Sequence, residues 1–438
     1  MKIFRVMWSR LSGGAGLLAV LALAVFAAGC GDVFRPVAVP ITGPPGDPQA
    51  TSFAFVVDQN APENDGSALQ INVPGDSAVF STPVGVGPVH AALLPPGQSR
   101  IFIANRDDDT VTAYIPSFST ELPITLSLAS GSHPVFLATT ESSKMYVAEA
   151  GTNKVGVING LQSALATEVT VGTTPVALAE TRDGKKLYAV NQGDGTVSVI
   201  ATATDAVLNT ITLPSGASPV WAALSPDGLE LYVLNQGLGN VSVIDVTSDT
   251  VVATLTVGTS PNHMFVDTHL NRLYVVNNGS ASVSIFNASV DPPTPLATVA
   301  VDPGPTSITV LSNGLKAYVA TVQPDPANAA NIRVSADVIN TTSNTVQTRV
   351  PFAGVPAVCS SSVPFTQTGG VRFAAFAASS SNSNRAYIAS CDAGVIHVLN
   401  TATDKFVTDI AAPVSAFPPS TPTTPPPHQR PVFMLAGP

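Results

Sequence analysis

Charge is what this 438-residue chain has least of: Asp, Glu, Lys and Arg together make up 11% of it, far below the quarter usual in globular proteins. The scarcity of lysine excludes long exposed helices built on Glu–Lys pairs. Positive charge is the scarcer sign, and a formal net charge of −10 leaves no basic face to neutralise phosphates, so nucleic acid is not an expected partner. No H-E-x-x-H, G-x-S-x-G, P-loop or dinucleotide fingerprint is present, so no catalytic residue is assigned and no cofactor is expected. The six histidines and three cysteines show no chelating spacing, and no metal is expected. Ser, Thr, Asn, Gly and Pro take the place of the missing charge, a composition that suits many short strands joined by many turns.

The longest apolar run comes at the start. Lys2, Arg5 and Arg10 precede "AGLLAVLALAVFAAG" at 15–29, which is shorter than the ~18–20 residues of a spanning helix and reads as an export signal over 1–29. The ending "AAGC" resembles the bacterial lipoprotein signal, in which the cysteine, here Cys30, is lipidated and becomes the first residue of the mature chain. Ala27 departs from that pattern, where Leu is usual, and an ordinary cleaved signal with a chance cysteine is the alternative. The resemblance implies an exported chain, anchored by lipid to the bacterial cell envelope, either periplasmic or at the surface. Residues 30–50, with "RPVAVPITGPPGDPQ" at 35–49, read as a Pro-rich extended tether. Export also implies an oxidising compartment, where the remaining Cys359 and Cys391 can form a disulfide; two unpaired buried thiols are the alternative.

The rest of the chain repeats itself. A proline opens an apolar stretch at Pro88, Pro134, Pro175, Pro219, Pro261 and Pro305, at successive spacings of 46, 41, 44, 42 and 44 residues. About twelve residues later comes an aromatic-led strand: "IFIAN", "MYVAE", "LYAVN", "LYVLN", "LYVVN", "AYVAT". A Gly- or Asp-rich turn follows, then "TVSVI" or its like, then a Thr/Val-rich strand. Each unit therefore reads as four short strands, a to d, with no sustained helical period between 50 and 438. Several strands are apolar on both faces, as in "LYVLN" at 231–235, and such a sheet must be covered on both sides. A ring of sheets stacked face to face does this, which makes the fold class all-β and the architecture a single β-propeller.

The b-strands resemble the repeat of the YVTN family of β-propellers of exported bacterial and archaeal proteins, clearest in "YVLN", "YAVN" and "YVVN" and decayed in "YVAE", "YVAT" and "YIAS". The likeness spans roughly 51–415 and speaks to fold; for activity it is nearly silent. A seventh unit occupies 371–414, after an inserted loop at 355–370, and the sixth unit has a long b–c turn. Residues 51–87 hold b-, c- and d-like pieces without an a-strand, while the C-terminal "RPVFMLAGP" (430–438) is an a-strand with nothing after it. Seven whole blades plus one composite blade make eight, with seven possible if 51–87 forms no blade. The propeller domain then spans 51–438, with 415–430 a Pro-rich connector and 431–438 the closing strand.

Two residues after each opening proline the side chain varies: His90, Phe136, Ala177, Trp221, His263, Ser307, Phe373 and Phe433 in chain order. This position is expected to ring the mouth of the central funnel. His90, Phe136, Trp221 and His263 are the candidate binding residues there, forming either a shallow aromatic and imidazole pocket or packing between blades. His90 and His263 sit in opposite units. With sheets about 10 Å apart the ring is roughly 25 Å across, too wide for both to share one ion. Asp107, Asp108 and Asp109 share one b–c turn and could hold calcium, but glycines fill that slot elsewhere, which favours a plain turn. The a-strands are otherwise Ala, Val, Leu and Phe, with Glu180, Asp267 and Arg372 as exceptions. That composition favours a non-enzymatic scaffold that binds an envelope protein or a small ligand. A lactonase-type propeller hydrolase with a site in the funnel is the alternative that the family resemblance carries.

Overall fold

The computed structural model describes residues 53–60, 64–94, 100–116, 122–139, 143–357, 359, 375–414 and 428–436. The signal, Cys30 and the tether fall outside them, as do Phe373, Arg372 and most of the Pro-rich connector. Among the described residues every regular element is a β-strand, and no helix is long and apolar enough to cross a membrane.

The strands form eight antiparallel sheets. Blade 4 shows the plan: a, Pro219–Leu224; b, Glu230–Asn235; c, Asn240–Asp245; d, Thr250–Thr256. Blades 1, 2, 3, 5 and 6 begin at Pro88, Pro134, Pro175, Pro261 and Pro305, and blade 7 at Ala375. The a-strands touch in cyclic order, from blade 1 through blade 7 to the C-terminal strand and back to blade 1. Blade 8 is composite. Its a-strand is Arg430–Ala436, and b, c and d are Phe53–Gln59, Asp65–Asn72 and Ser77–Val86. Ala54 pairs with Ala436 and Val57 with Phe433, so the first and last described strands lie in one sheet. Closure covers the two blade faces that an open stack would leave bare.

The apolar core lies between blades. One cluster joins Tyr188, Val190 and Val197 of blade 3 to Ala222, Leu231 and Val233 of blade 4, and a comparable cluster fills each neighbouring gap. Strands apolar on both faces are therefore covered on both. The tyrosine of each clear repeat (Tyr146, Tyr188, Tyr232, Tyr274, Tyr318, Tyr387) is fully buried; replacing such a ring by Ala costs about 3–5 kcal/mol.

The asparagine that ends the b-strand has a separate task. Nδ2 of Asn191 donates to Thr196 Oγ1 at 2.9 Å and Ser198 Oγ at 3.0 Å on strand c, and Asn105 and Asn277 repeat the arrangement. Blade 2 substitutes both partners at once. Glu149 replaces the asparagine, and Gly156 stands where the hydroxyl residue would be, its absent Cβ leaving room 2.7 Å from Glu149 Oε1. Burial pushes the Glu149 carboxyl up to about 7.

Two expectations need correction. The long b–c turn of the sixth unit is a continuation of the ladder: Lys316–Asp325 pairs with Asn328–Asn340 out to the hairpin tip. The start of the inserted segment is also strand, since Val355 and Pro356 pair with Ile332 and Asn331. Beyond it Cys359 is bonded to Cys391, with Cα atoms 6.0 Å apart, which pins the insertion to the end of blade 7's b-strand.

Candidate functional site: the central channel

The a-strand is the innermost of each blade, and its opening proline pairs with the residue that ends strand b, as in Pro175↔Asn191. The residue two places on therefore lies near the face that carries the b–c turns and the connectors between blades. Those connectors are held by turn side chains. Asp108 Oδ2 accepts from Val86 N–H at 2.9 Å, and Asp109 accepts from Gly131 and His133 N–H at 2.6 and 2.8 Å. Asp107 pairs with Arg106 at 3.0 Å. The three aspartates thus anchor backbone and a neighbouring cation, which accounts for them as a turn; among the described residues no three His, Cys, Asp or Glu side chains could hold a metal ion.

At the varied position the structure brings the side chains together across the axis. His90 stacks on Phe136 with centroids 4.1 Å apart, and Phe136 meets Trp221 edge-on at 5.4 Å. Trp221 lies 4.8 Å from His263, and His263 5.8 Å from Phe376. Phe376 reaches Phe433 at 4.8 Å, and Phe433 returns to His90 at 4.4 Å. Six rings close a circuit at separations where aromatic pairs attract. Ala177 and Ser307, in blades 3 and 6, are fully buried and leave the circuit to their larger neighbours.

The seventh member corrects the sequence reading. Phe376 pairs with Ala389 as Phe136 pairs with Ala148, so the blade 7 position is Phe376 and not Phe373. The histidines also differ from an open mouth. His90 and His263 are 9% and 4% exposed, inside the packed layer, while Phe136 and Trp221 keep part of their surface in solvent.

Burial drives both imidazoles down to about 3, so each is neutral near pH 7. Geometry fixes the tautomer. Leu137 N–H donates to His90 Nδ1 at 3.2 Å and Ile308 N–H to His263 Nδ1 at 3.4 Å, which leaves the proton on Nε2. Ser307 Oγ accepts from Ala377 N–H at 2.8 Å in the same way. In all three a side chain of one blade receives the inward N–H of the next, satisfying an edge strand that has no further sheet partner. Two residues further on, the same strand faces carry Ala92, Ala138, Ala179, Ala223 and Ala378, with Phe265, Thr309 and Leu435, so a layer of mostly small side chains follows the aromatic one. Glu180 and Asp267 lie at the ends of their a-strands, away from the six rings. The arrangement offers flat apolar surface and neutral nitrogen, which suits stacking better than proton transfer.

No protein-family model and no curated protein matches the chain, so the YVTN resemblance rests on the repeats alone. Among solved structures the chain is similar, at 12% identity and a TM-score of 0.62, to the dihydro-heme d1 dehydrogenase NirN in complex with DHE, over 86% of this chain and 77% of that one. It is similar at 13% identity and a TM-score of 0.59 to apo AztD of Citrobacter koseri, over 88% and 98%. A functionally unknown protein of Desulfotomaculum acetoxidans matches at 15% identity and a TM-score of 0.51, over 82% and 95%. At such identities the likeness is one of fold, and together with the closed circuit of sheets it makes this chain an eight-bladed β-propeller.

Proposed function

We propose that this chain is a lipid-anchored binding scaffold of the bacterial cell envelope, related to the YVTN propellers. Its channel receives a flat apolar or aromatic group, carried by a small ligand or a protein partner, and it catalyses no reaction. The observation that carries this reading is the six-ring circuit with both imidazoles held neutral. Phe136 and Trp221, its two partly exposed members, are the contact surface. Aromatic rings supply large contact area at low entropic cost, and the anchor at Cys30 holds that surface near the membrane.

The test exploits an accident of composition. The chain has two tryptophans, Trp8 and Trp221, so removal of residues 1–29 leaves Trp221 as a single reporter in the channel. A Cys30→Ser chain is titrated with 8-anilinonaphthalene-1-sulfonate and with haemin, a planar probe chosen because a similarly folded dehydrogenase is named for a haem substrate. Saturable quenching of Trp221, weakened tenfold or more by Phe136→Ala, supports the reading. Absence of any saturable change, or lactone turnover abolished by Glu180→Gln or Asp267→Asn, overturns it. The anchor is tested separately: Cys30→Ser should move the chain from the membrane to the soluble fraction, and an unchanged distribution sinks that part.

A further inference from the structure

Six of the eight junctions between blades are latched by a cation; blade 8 has Phe53 at the latch position and blade 4 has Glu230. The residue two places before the b-strand tyrosine (Phe102 in blade 1) reaches the c–d turn of the following blade. Lys186 Nζ bonds Val246 O at 2.8 Å and both carboxylate oxygens of Asp249 at 2.9 Å. Lys144 does the same with Thr202 O and Asp205, and Lys316 with Thr401 O and Asp404. Arginine replaces lysine at three junctions: Arg272 on Thr341 O and Asn344, Arg385 on Asp76, and Arg100 on Leu161 O and Ser163. The turn is thus a cradle of carbonyl and side-chain oxygens built to hold positive charge.

The junction of blades 4 and 5 breaks the rule. The latch position there is Glu230, and the acceptor turn still presents an aspartate, Asp291, whose carboxyl lies against that of Glu230. Ala288 keeps the place of Thr202, Val246 and Thr401, since its N–H makes the same bond to the residue before its own b-strand. Glu230 is only 5% exposed; Oε2 accepts from Tyr232 OH at 2.9 Å, Oε1 receives no donor from any other side chain or backbone group, and the carboxyl lies within hydrogen-bond reach of that of Asp291. Burial and the facing Asp291 hold the Glu230 carboxyl up to about 8, with Asp227 adding to the same field. Two carboxyl groups therefore meet where every comparable latch has a cation between oxygens.

We propose that a divalent cation, calcium by the chemistry of the donors, occupies the junction of blades 4 and 5 and replaces the missing ammonium, held by Glu230, Asp291 and the carbonyl of Ala288. All the donors are oxygen, the set that hard cations take. Asp291 is exposed, so water completes the coordination, and two carboxylates with solvent access fit the weak class of site, with Kd near 10⁻⁴–10⁻³ M.

The full chain is stripped with EDTA, then titrated with calcium at constant ionic strength while its melting is followed. A saturable rise of about 2 °C at tenfold excess over Kd is expected. Glu230→Lys rebuilds the latch of the neighbouring junctions; it should melt at or above the calcium-loaded parent and ignore calcium. Terbium gives a readout independent of stability: Tyr232 should sensitise its emission, and Glu230→Gln should abolish it. A parent indifferent to calcium overturns the proposal, as does a Glu230→Gln chain that keeps the full terbium signal. A junction neutralised by a proton alone gives the first of these results.

Discussion

Deleting residues 430–438 removes one of the thirty-three strands among the described residues, yet the structure makes it the strand that closes the ring. Val432, Phe433 and Met434 are each at least nine-tenths buried, and Phe433 touches both His90 and Phe376. The loss of Phe433 alone, as Phe433→Ala, is worth about 3–5 kcal/mol. Unfolding entropy for a domain of this size is roughly 0.8 kcal/mol per kelvin, so that single change lowers the melting temperature by about 5 °C. The deletion also unpairs strand Phe53–Gln59 and opens a gap between blades 7 and 1, so its melting temperature should fall further than that of Phe433→Ala. Differential scanning calorimetry of the two variants beside the parent measures both. The truncated chain carries its own control. A synthetic nonapeptide of sequence RPVFMLAGP should re-enter the vacant edge by strand addition and, at a hundredfold excess over its Kd, restore about 2.7 kcal/mol. A truncated chain that melts within a degree of the parent refutes the composite blade, and a peptide without effect on a destabilised truncation refutes the vacant-edge account.

Three further outcomes follow from the same structure. The disulfide closes a loop with a sequence separation of 32, so the double variant Cys359→Ser/Cys391→Ser should lose about 3–4 kcal/mol; urea melts that coincide would contradict it. His90 and His263 titrate near 6.5 unfolded and about 3 folded, so the unfolded chain binds the extra protons and stability falls as pH drops through that window. The two contribute up to about 2.7 kcal/mol per pH unit, and the double variant His90→Phe/His263→Phe should show a slope shallower by that amount between pH 4 and 5.5; parallel profiles would refute their burial as neutral groups. Glu149 runs the other way, its folded value raised to about 7 from 4.5, so it costs stability as pH rises across that range. Gly156→Ser alone should destabilise, because its Cβ would meet Glu149 Oε1 and Val147 Cγ1 at 2.7 Å, whereas Glu149→Asn/Gly156→Ser rebuilds the neighbouring pattern and should exceed the parent at pH 8. Additive effects of the two changes would dismiss the compensation.

Much of this architecture could be read from spacing. The prolines mark six blades, and the missing a-strand of 51–87 together with the orphan strand at the C-terminus gives the composite one, because a ring needs whole sheets. The Phe373 assignment failed for a local reason. "FAAFAAS" places a phenylalanine before two alanines in two registers three residues apart, and no proline marks the start of blade 7. Counting back from Ser390 would have fixed it, since in blades 3 to 5 the varied residue stands 14 before the end of strand b. The latches were illegible for a different reason. Lys186 and Asp249 are 63 residues apart, and only the rotation of one blade against the next brings them together. The channel lay between these extremes: its members could be named from the repeat, but their convergence depends on side-chain length. Of the two arrangements open to the histidines, a pocket or packing between blades, the structure shows packing: His90 lies between Phe136 and Phe433, and His263 between Trp221 and Phe376.

The composite blade also dictates when the molecule can finish folding. Ala54 has Ile71 on one side from the start but meets Ala436 on the other only after blades 1 to 7 have been synthesised, so those blades can assemble in order while the seam stays open. Until then strand Phe53–Gln59 offers an unpaired edge and the channel side chains lack their closing member. Ring closure is accordingly a late event of long sequence separation, the kind that is slow and exposed to wrong pairings. A chain stalled or cut before the closing strand at Arg430–Ala436 would be a nearly complete propeller with one adhesive edge, and quality control acting on this protein would have that edge to recognise.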